Sequence, residues 1–306
     1  MLFYFAPLEG ITNYIFRNTY SNFYKDVDKY FTPFLNANSA GCLAKKSQRE
    51  VNKENNLISN IVPQLLTNNS NTFNIVSATL KNMGYNEINL NLGCPSGTVT
   101  SKFKGSGQLR DTERLRLFFD DIFKNNIQDI SVKTRIGYSD PLEIKTLLTI
   151  FNDYPIKELI VHPRLREDYY KGPINLEVFK FIVNESKHEV CYNGDLFTVD
   201  NINEFVTNFP TINKIMLGRG LIANPGLVEE YKTGKPNNIE KFREFHDSLY
   251  KQYSEILYGE RSLLFKMKDY WRVWKINFPE NEKQVKKLQK SQTLKAYHKA
   301  VDLILK

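Results

Sequence analysis

From Leu2 to Tyr231 the chain alternates short apolar runs with amphipathic stretches. The runs read LFYF from Leu2, KYFTPFL from Lys29, IVPQLL from Ile61 and EINLNL from Glu87. DISVKTR from Asp129, ELIVHP from Glu158, EVCYNG from Glu189 and KIMLGR from Lys214 complete the set. Each is short and carries β-branched or aromatic residues, the signature of a buried strand. The stretches between them follow a helical period. In FNIVSATLKNMG, Phe73, Val76, Leu80 and Met83 share one face, and Gly84 suits the C-terminal end. In RLRLFFDDIF, Leu115, Phe118, Phe119 and Ile122 do the same, with Asp111 or Thr112 as the cap. Eight strands alternating with helices predict an α/β fold, a (β/α)8 TIM barrel.

Beyond Tyr231 the pattern changes. KTGKPNNIEK is a joint rich in Gly, Pro and Asn, and no strand signal follows it. EFHDSLYKQYSEILY and LKAYHKAVDLILK read as amphipathic helices. The expected division is a barrel over 1–234 and a small all-helical domain over 235–306. Charge sharpens that division. From Pro236 to Lys306 there are 15 basic and 9 acidic residues, so this tail holds +6 of the chain's net +8. A basic appendage on a nearly neutral barrel fits either a polyanionic partner or a solvated face.

Composition excludes several classes. Cys42, Cys94 and Cys191 are odd in number, widely spaced and in no CxxC pair, which argues against a disulfide framework and a structural zinc site. No metal ligand set is expected. No apolar run reaches membrane-spanning length, and MLFYFAPLEG lacks the basic start of a signal peptide. The expectation is a monomeric cytoplasmic protein.

In such a barrel the active residues sit at the C-terminal strand ends. Those ends read Ala6-Pro7-Leu8-Glu9-Gly10, Gln64, Asn91-Leu92-Gly93-Cys94-Pro95, Lys133, His162, Asn193-Gly194-Asp195 and Gly218-Arg219-Gly220. Polar residues where buried strands stop point to one shared cleft. Glycines and an arginine after strands seven and eight suit a phosphorylated cofactor, because backbone N–H groups there can approach an anion.

APLEGITN, INLNLGCP with its Gly-rich loop, VKTRIG, VHPR, YNGD and MLGRG, in that order, resemble the landmarks of the dihydrouridine synthase family. The resemblance implies an FMN enzyme, recharged by NADPH, that reduces the C5–C6 bond of a uridine in RNA, transfer RNA before ribosomal RNA. It implies that Pro7, Leu8 and Glu9 line the flavin ring and that Gln64 and Lys133 bond its pyrimidine edge. His162, Asn193, Gly194, Asp195, Gly218 and Arg219 would hold the ribityl chain and phosphate. Asn91 would orient flavin or substrate beside Cys94. Hydride would pass from flavin N5 to uracil C6, and the Cys94 thiol, protonated at neutral pH, would protonate C5. The loop Ser96–Gly107 would close over the base.

Lys102, Lys104, Arg135, Arg164 and Arg272 are the candidate RNA contacts. The chain departs from the family pattern at Asn13, where Asp is usual, and in HPRLREDYYKG, where Pro163 and Leu165 replace the usual residues. The residues alone leave some choices open. Cys191 reads as core and Cys42 as an inert surface thiol. KDYWRVWK reads as a helix packing its tryptophans on the barrel or as an RNA platform. A flavin barrel acting on a small pyrimidine or enone, and a non-catalytic RNA-binding barrel, also fit the strand-end pattern.

Overall fold

The computed structural model describes residues 1–38, 40–124 and 127–306. Among these, nine strand segments form one all-parallel sheet. They are β1 (Leu2–Phe5), β2 (Lys29–Phe31), β3 (Ile61–Val62), β4 (Gln64–Leu65), β5 (Glu87–Leu92), β6 (Asp129–Gly137), β7 (Glu158–Leu165), β8 (Glu189–Tyr192) and β9 (Lys214–Leu217). The sheet order is β3-β2-β1-β9-β8-β7-β6-β5-β4. Its two outer segments are successive in the chain. IVPQLL is therefore one strand position broken at Pro63, whose ring removes a ladder donor. β3 pairs with β2, β4 pairs with β5, and the ring is nearly closed at eight positions. KYFTPFL gives a strand of three residues for the same reason: Pro33 interrupts the ladder, and pairing returns only as a single bridge between Leu35 and Leu65.

Alternation along the strands sorts side chains into two cores. Phe3, Phe5, Tyr30, Leu159, Val161, Ile215 and Leu217 face the surrounding helices. Tyr4, Ala6, Phe31, Val62, Ile160, Cys191 and Met216 pack together as a separate cluster inside the ring. Cys191 is thus interior packing. The other half of the interior is polar. EINLNL sends Ile88, Leu90 and Leu92 outward into the main core. Glu87, Asn89 and Asn91, also buried, occupy the alternate positions. At the N-terminal end of the ring, Lys29, Lys157 and Lys214 pair with Glu87, Asp129, Glu158 and Glu189.

Caps fall where the sequence allows them. Asn13 accepts the N–H of Phe16 at 3.1 Å and starts the helix Tyr14–Phe23, so Asn serves here as Asp would. The helix Ser70–Asn82 is capped by Asn69, and Gly84 follows its last turn. Asp111, not Thr112, caps the helix Thr112–Lys124, accepting the N–H of Arg114 at 3.0 Å.

Past Gly234 the chain forms the helices Ile239–Ile256, Glu260–Trp274, Glu282–Lys290 and Leu294–Ile304. Their aromatic faces continue the barrel's outer core. Phe245 meets Phe16, Tyr20, Phe23 and Tyr24 edge-on, and Tyr270 stacks on Phe16 at 5.1 Å. Tyr253 Oη donates to Asn13 Oδ1 at 2.8 Å. Trp271 and Trp274 are fully buried, and Trp271 Nε1 donates to Tyr297 Oη at 3.0 Å. KDYWRVWK is therefore a packing helix. Its tryptophans are inside, so they are no platform for bases. Among the described residues, no helix is long and apolar enough to cross a membrane.

Candidate active site

The C-terminal strand ends line one cleft, with about 870 Å³ of free space open to solvent. Cys94 and every residue expected to hold the cofactor line it: Pro7, Leu8 and Glu9 after β1, Gln64 on β4, Asn91 on β5 and Lys133 on β6. His162 on β7, Asn193, Gly194 and Asp195 after β8, and Gly218 and Arg219 after β9 complete the set. Three strands are in direct register here. Gln64 lies opposite Asn89, Asn89 opposite Ser131, and Asn91 opposite Lys133.

Cys94 sits on a tied corner. Asn91 Oδ1 accepts the N–H of Gly93 at 3.0 Å and of Cys94 at 2.5 Å. The Cys94 carbonyl accepts both the N–H and the hydroxyl of Ser106, at 3.1 and 2.9 Å. Gly105, at φ +57°, makes that approach possible, since a Cβ there would lie 2.7 Å from the Cys94 carbonyl oxygen. The segment expected to close over a base is thus fixed in its second half. Gly105 to Leu109 are buried, Gly105 and Ser106 against Cys94's own backbone, while Lys102 is exposed and Lys104 half-buried. Burial raises the Cys94 pKa above the ordinary thiol value, against the N–H of Ser96 and the charges of Arg135 and Lys133; Glu9 adds to the rise. The thiol is protonated at neutral pH.

The cleft is electropositive. Burial and the Arg135 charge lower Lys133 to about 8. No hydrogen bond or ion pair engages its ammonium among the described residues. A half-buried cation without a partner is costly, and one that opens on a cleft is a seat for negative charge. Burial and four surrounding cations, Arg135, Lys133, Arg164 and Arg219, hold His162 well below the ordinary histidine pKa. It is therefore neutral. Its Nε2 lies 3.3 Å from Arg164 Nη1, and because arginine can only donate, Nε2 accepts and the proton rests on Nδ1.

Asp195 is doubly paired. Both its carboxylate oxygens are engaged by guanidinium groups, Arg164 at 2.6 Å on one side and Arg219 on the other. Burial works against the charged carboxylate, yet the two arginines outweigh it and keep the pKa below the usual range. A carboxylate so placed orients Arg219 and repels an anion itself. Gly194 is small of necessity: a Cβ there would overlap the Tyr192 hydroxyl at 2.0 Å.

Two of the expected RNA contacts lie inside the protein. Arg164 is buried, donating to the Gly172 carbonyl at 2.6 Å as well as to Asp195. Arg135, also buried, donates to the carbonyls of Gly93, Leu165 and Tyr169 at 2.8, 2.7 and 2.6 Å. It staples the loops after β5 and β7 together and lines the cleft from beneath Tyr170, 5.3 Å from that ring. Arginine satisfies several carbonyls with one planar fork, which is why both turn inward. Arg272 is exposed and pairs with Asp269 on its own helix.

Sequence reasoning missed three aromatic residues of the cleft: Phe34, Tyr170 and Phe197. Phe34 lies within KYFTPFL, just past Pro33, while Tyr170 and Phe197 stand a few residues beyond a strand-end motif, and that position was the available signal. It also missed a basic and aromatic rim beside the Cys94 corner. Arg110 lies 4.3 Å from the Phe103 ring and 4.8 Å from Tyr138. Arg114 lies 5.1 Å from Phe103, and Arg166 lies 4.9 Å from Tyr169.

The chain matches the family model described as dihydrouridine synthase over residues 4–302. A protein of Staphylococcus epidermidis named probable tRNA-dihydrouridine synthase is 28% identical over 263 residues, covering 83% of this chain and 79% of that protein. A protein of Rickettsia prowazekii with the same name is 29% identical over 187 residues, 59% of this chain and 57% of that protein. Among solved structures, morphinone reductase superposes with a TM-score of 0.54 at 11% identity, over 78% of this chain and 87% of that one. That likeness concerns the barrel fold.

Proposed function

We propose, from the premise that this chain belongs to the dihydrouridine synthase family, that it is an FMN- and NADPH-dependent enzyme reducing the C5=C6 bond of uridines in tRNA. The family is one of oxidoreductases, and its curated members matched here are named for tRNA. The observation that carries the finer reading is the pairing of a protonated thiol, Cys94, with an unpartnered ammonium, Lys133, in one cleft.

The residues fit FMN. Gln64, Asn91 and Lys133 offer donors for the carbonyl-rich edge of a flavin, and Gly194, Gly218 and Arg219 offer a cradle for its phosphate. FMN, when bound, supplies the hydride that adds to C6 of the uracil. The protein's part is the rest. Lys133 holds negative charge that collects on a ring edge. Cys94 gives its proton to C5, and burial keeps that proton in place until it is needed. His162, held neutral, adds a hydrogen-bonding ring without adding to the cationic crowd.

For RNA, the exposed contacts we assign are Lys102, Arg110, Arg114 and Arg272, with half-buried Lys104. Phosphate contacts of this kind position a nucleic acid, while Tyr169 and Tyr170, both exposed beside the cleft, suit stacking against an extruded base. We assign residues 1–234 to catalysis and residues 235–306 to a basic helical part that supports RNA binding. The test is direct. Protein purified with FMN should be yellow, and Cys94→Ala should stay yellow while forming no dihydrouridine in tRNA, read by nucleoside mass spectrometry. Full turnover by the variant would remove Cys94 from the mechanism.

A further inference from the structure

We propose that Glu87, Asn89 and Ser131, none of which lines the cleft, are positioning residues that aim an amide N–H of Gln64 and one of Asn91 into it. The ligand edge they meet must then carry hydrogen-bond acceptors. The identity of that ligand rests on the flavin reading above; the arrangement does not.

The five side chains form a single hydrogen-bonded file up the polar half of the barrel interior. Ser131 Oγ donates to Glu87 Oε1 at 2.7 Å, and Asn89 Nδ2 donates to Ser131 Oγ at 2.9 Å. Gln64 Nε2 donates to Asn89 Oδ1 at 2.8 Å, and Asn91 Nδ2 donates to Gln64 Oε1 at 2.7 Å. Asn91 Oδ1 ends the file by accepting the N–H groups of Gly93 and Cys94. Gln64, Asn89 and Ser131 are wholly buried, and Asn91 and Glu87 nearly so.

The direction of the file is dictated from both ends. At the floor, the Glu87 carboxylate, flanked by the ammonium groups of Lys29 and Lys157, can only accept, so Ser131 must donate. The Ser131 oxygen then receives the Asn89 amide, and the Asn89 carbonyl faces Gln64. At the mouth, two backbone N–H groups can only donate, so the Asn91 carbonyl must face them and its amide must face Gln64. Both ends demand the same polarity. Turning Gln64 over would set its carbonyl against that of Asn89 and its NH2 against that of Asn91, leaving four buried polar atoms unsatisfied.

Each carboxamide carries two N–H bonds and spends one within the file. Gln64 and Asn91 both line the cleft, so the second N–H of each is the one available there. The register of β4, β5 and β6 builds this arrangement, because Gln64, Asn89 and Ser131 stand directly opposite one another.

The test uses the full-length protein and Ser131→Ala, with Asn89→Leu as the stronger variant and Ile88→Val as the control. Ile88 faces outward into the main core, so its variant loses packing and leaves the file intact. FMN affinity, measured by quenching of flavin fluorescence, should fall about tenfold in Ser131→Ala, the scale of one lost hydrogen bond. The visible flavin bands should shift with it. Ile88→Val should show wild-type affinity and bands at comparable thermal stability. Wild-type affinity and spectrum in Ser131→Ala would overturn the proposal. Wild-type protein that takes up no flavin would overturn the function proposed above instead. The file is then read from side-chain amide exchange in 15N-labelled protein, the Gln64 signals being assigned by their loss in Gln64→Leu. Exchange at least tenfold faster in Ser131→Ala supports the file, and equal rates overturn it.

Discussion

The side-chain carbonyl of Asn91 holds the backbone N–H of Cys94 at 2.5 Å, so the last polar residue of β5 and the thiol-bearing residue beyond it form one unit. The strand is rigid and fully buried, and the corner inherits its position. Asn91→Ala would leave the N–H groups of Gly93 and Cys94 without their acceptor. Turnover should fall by about 10- to 100-fold, on the order of 1.4–2.7 kcal/mol of barrel-mouth organisation. Nucleoside mass spectrometry of tRNA after timed incubation checks it. Asn91→Asp keeps that acceptor but replaces the amide that donates to Gln64 Oε1 with an oxygen, so it should lose activity as well.

Lys133 predicts a trade between stability and function. Its pKa in the folded chain is lowered to about 8, from a usual 10.5, by burial and Arg135. The folded state thus binds fewer protons than the unfolded state between those two values. The cost of the buried charge is therefore fully present below about pH 8 and disappears as pH rises toward 10.5. Lys133→Met should stabilise the ligand-free protein at pH 7 by roughly 1–3 kcal/mol. That advantage should shrink on passing pH 8, as read from urea titrations at several pH values. The same variant should lose most of its activity.

The two faces of the helix Glu260–Trp274 should respond oppositely to truncation. Trp271 is fully buried and hydrogen-bonded to Tyr297, so Trp271→Ala should cost about 3–5 kcal/mol of unfolding free energy. Arg272 is exposed, so Arg272→Ala should stay within about 0.5 kcal/mol of the parent. Chemical denaturation followed by tryptophan fluorescence separates the two.

RNA affinity should fall steeply with salt if Lys102 and Arg114 meet phosphates. The double variant Lys102→Ala, Arg114→Ala should reduce the slope of log K against log salt by roughly 1.5–2 units. Filter binding at a series of salt concentrations measures that slope. An unchanged slope would place the RNA elsewhere on the surface. Arg164→Ala should instead leave Asp195 with Arg219 as its one remaining arginine partner and lower the melting temperature, because the Arg164 guanidinium is internal.

The sequence by itself determined the ring and its order. Eight apolar runs became eight strand positions, and all thirteen residues expected to hold the cofactor or donate the proton came to one cleft. That much is legible because strand ends are local: alternation sets which side chain points inward, and the motif following the last paired residue must emerge at the mouth. Tertiary structure alone decided the direction of the long side chains. Arg135 and Arg164 turned inward because carbonyls and a carboxylate 30 to 42 residues away in the chain were left in want of donors, and Arg272 turned outward because Trp271 and Trp274 took the inner face. The file from Glu87 to Cys94 arises in the same way. Its members lie on three strands brought into register by the barrel, and no reading along one segment could reveal that Asn89 answers to Ser131, 42 residues on.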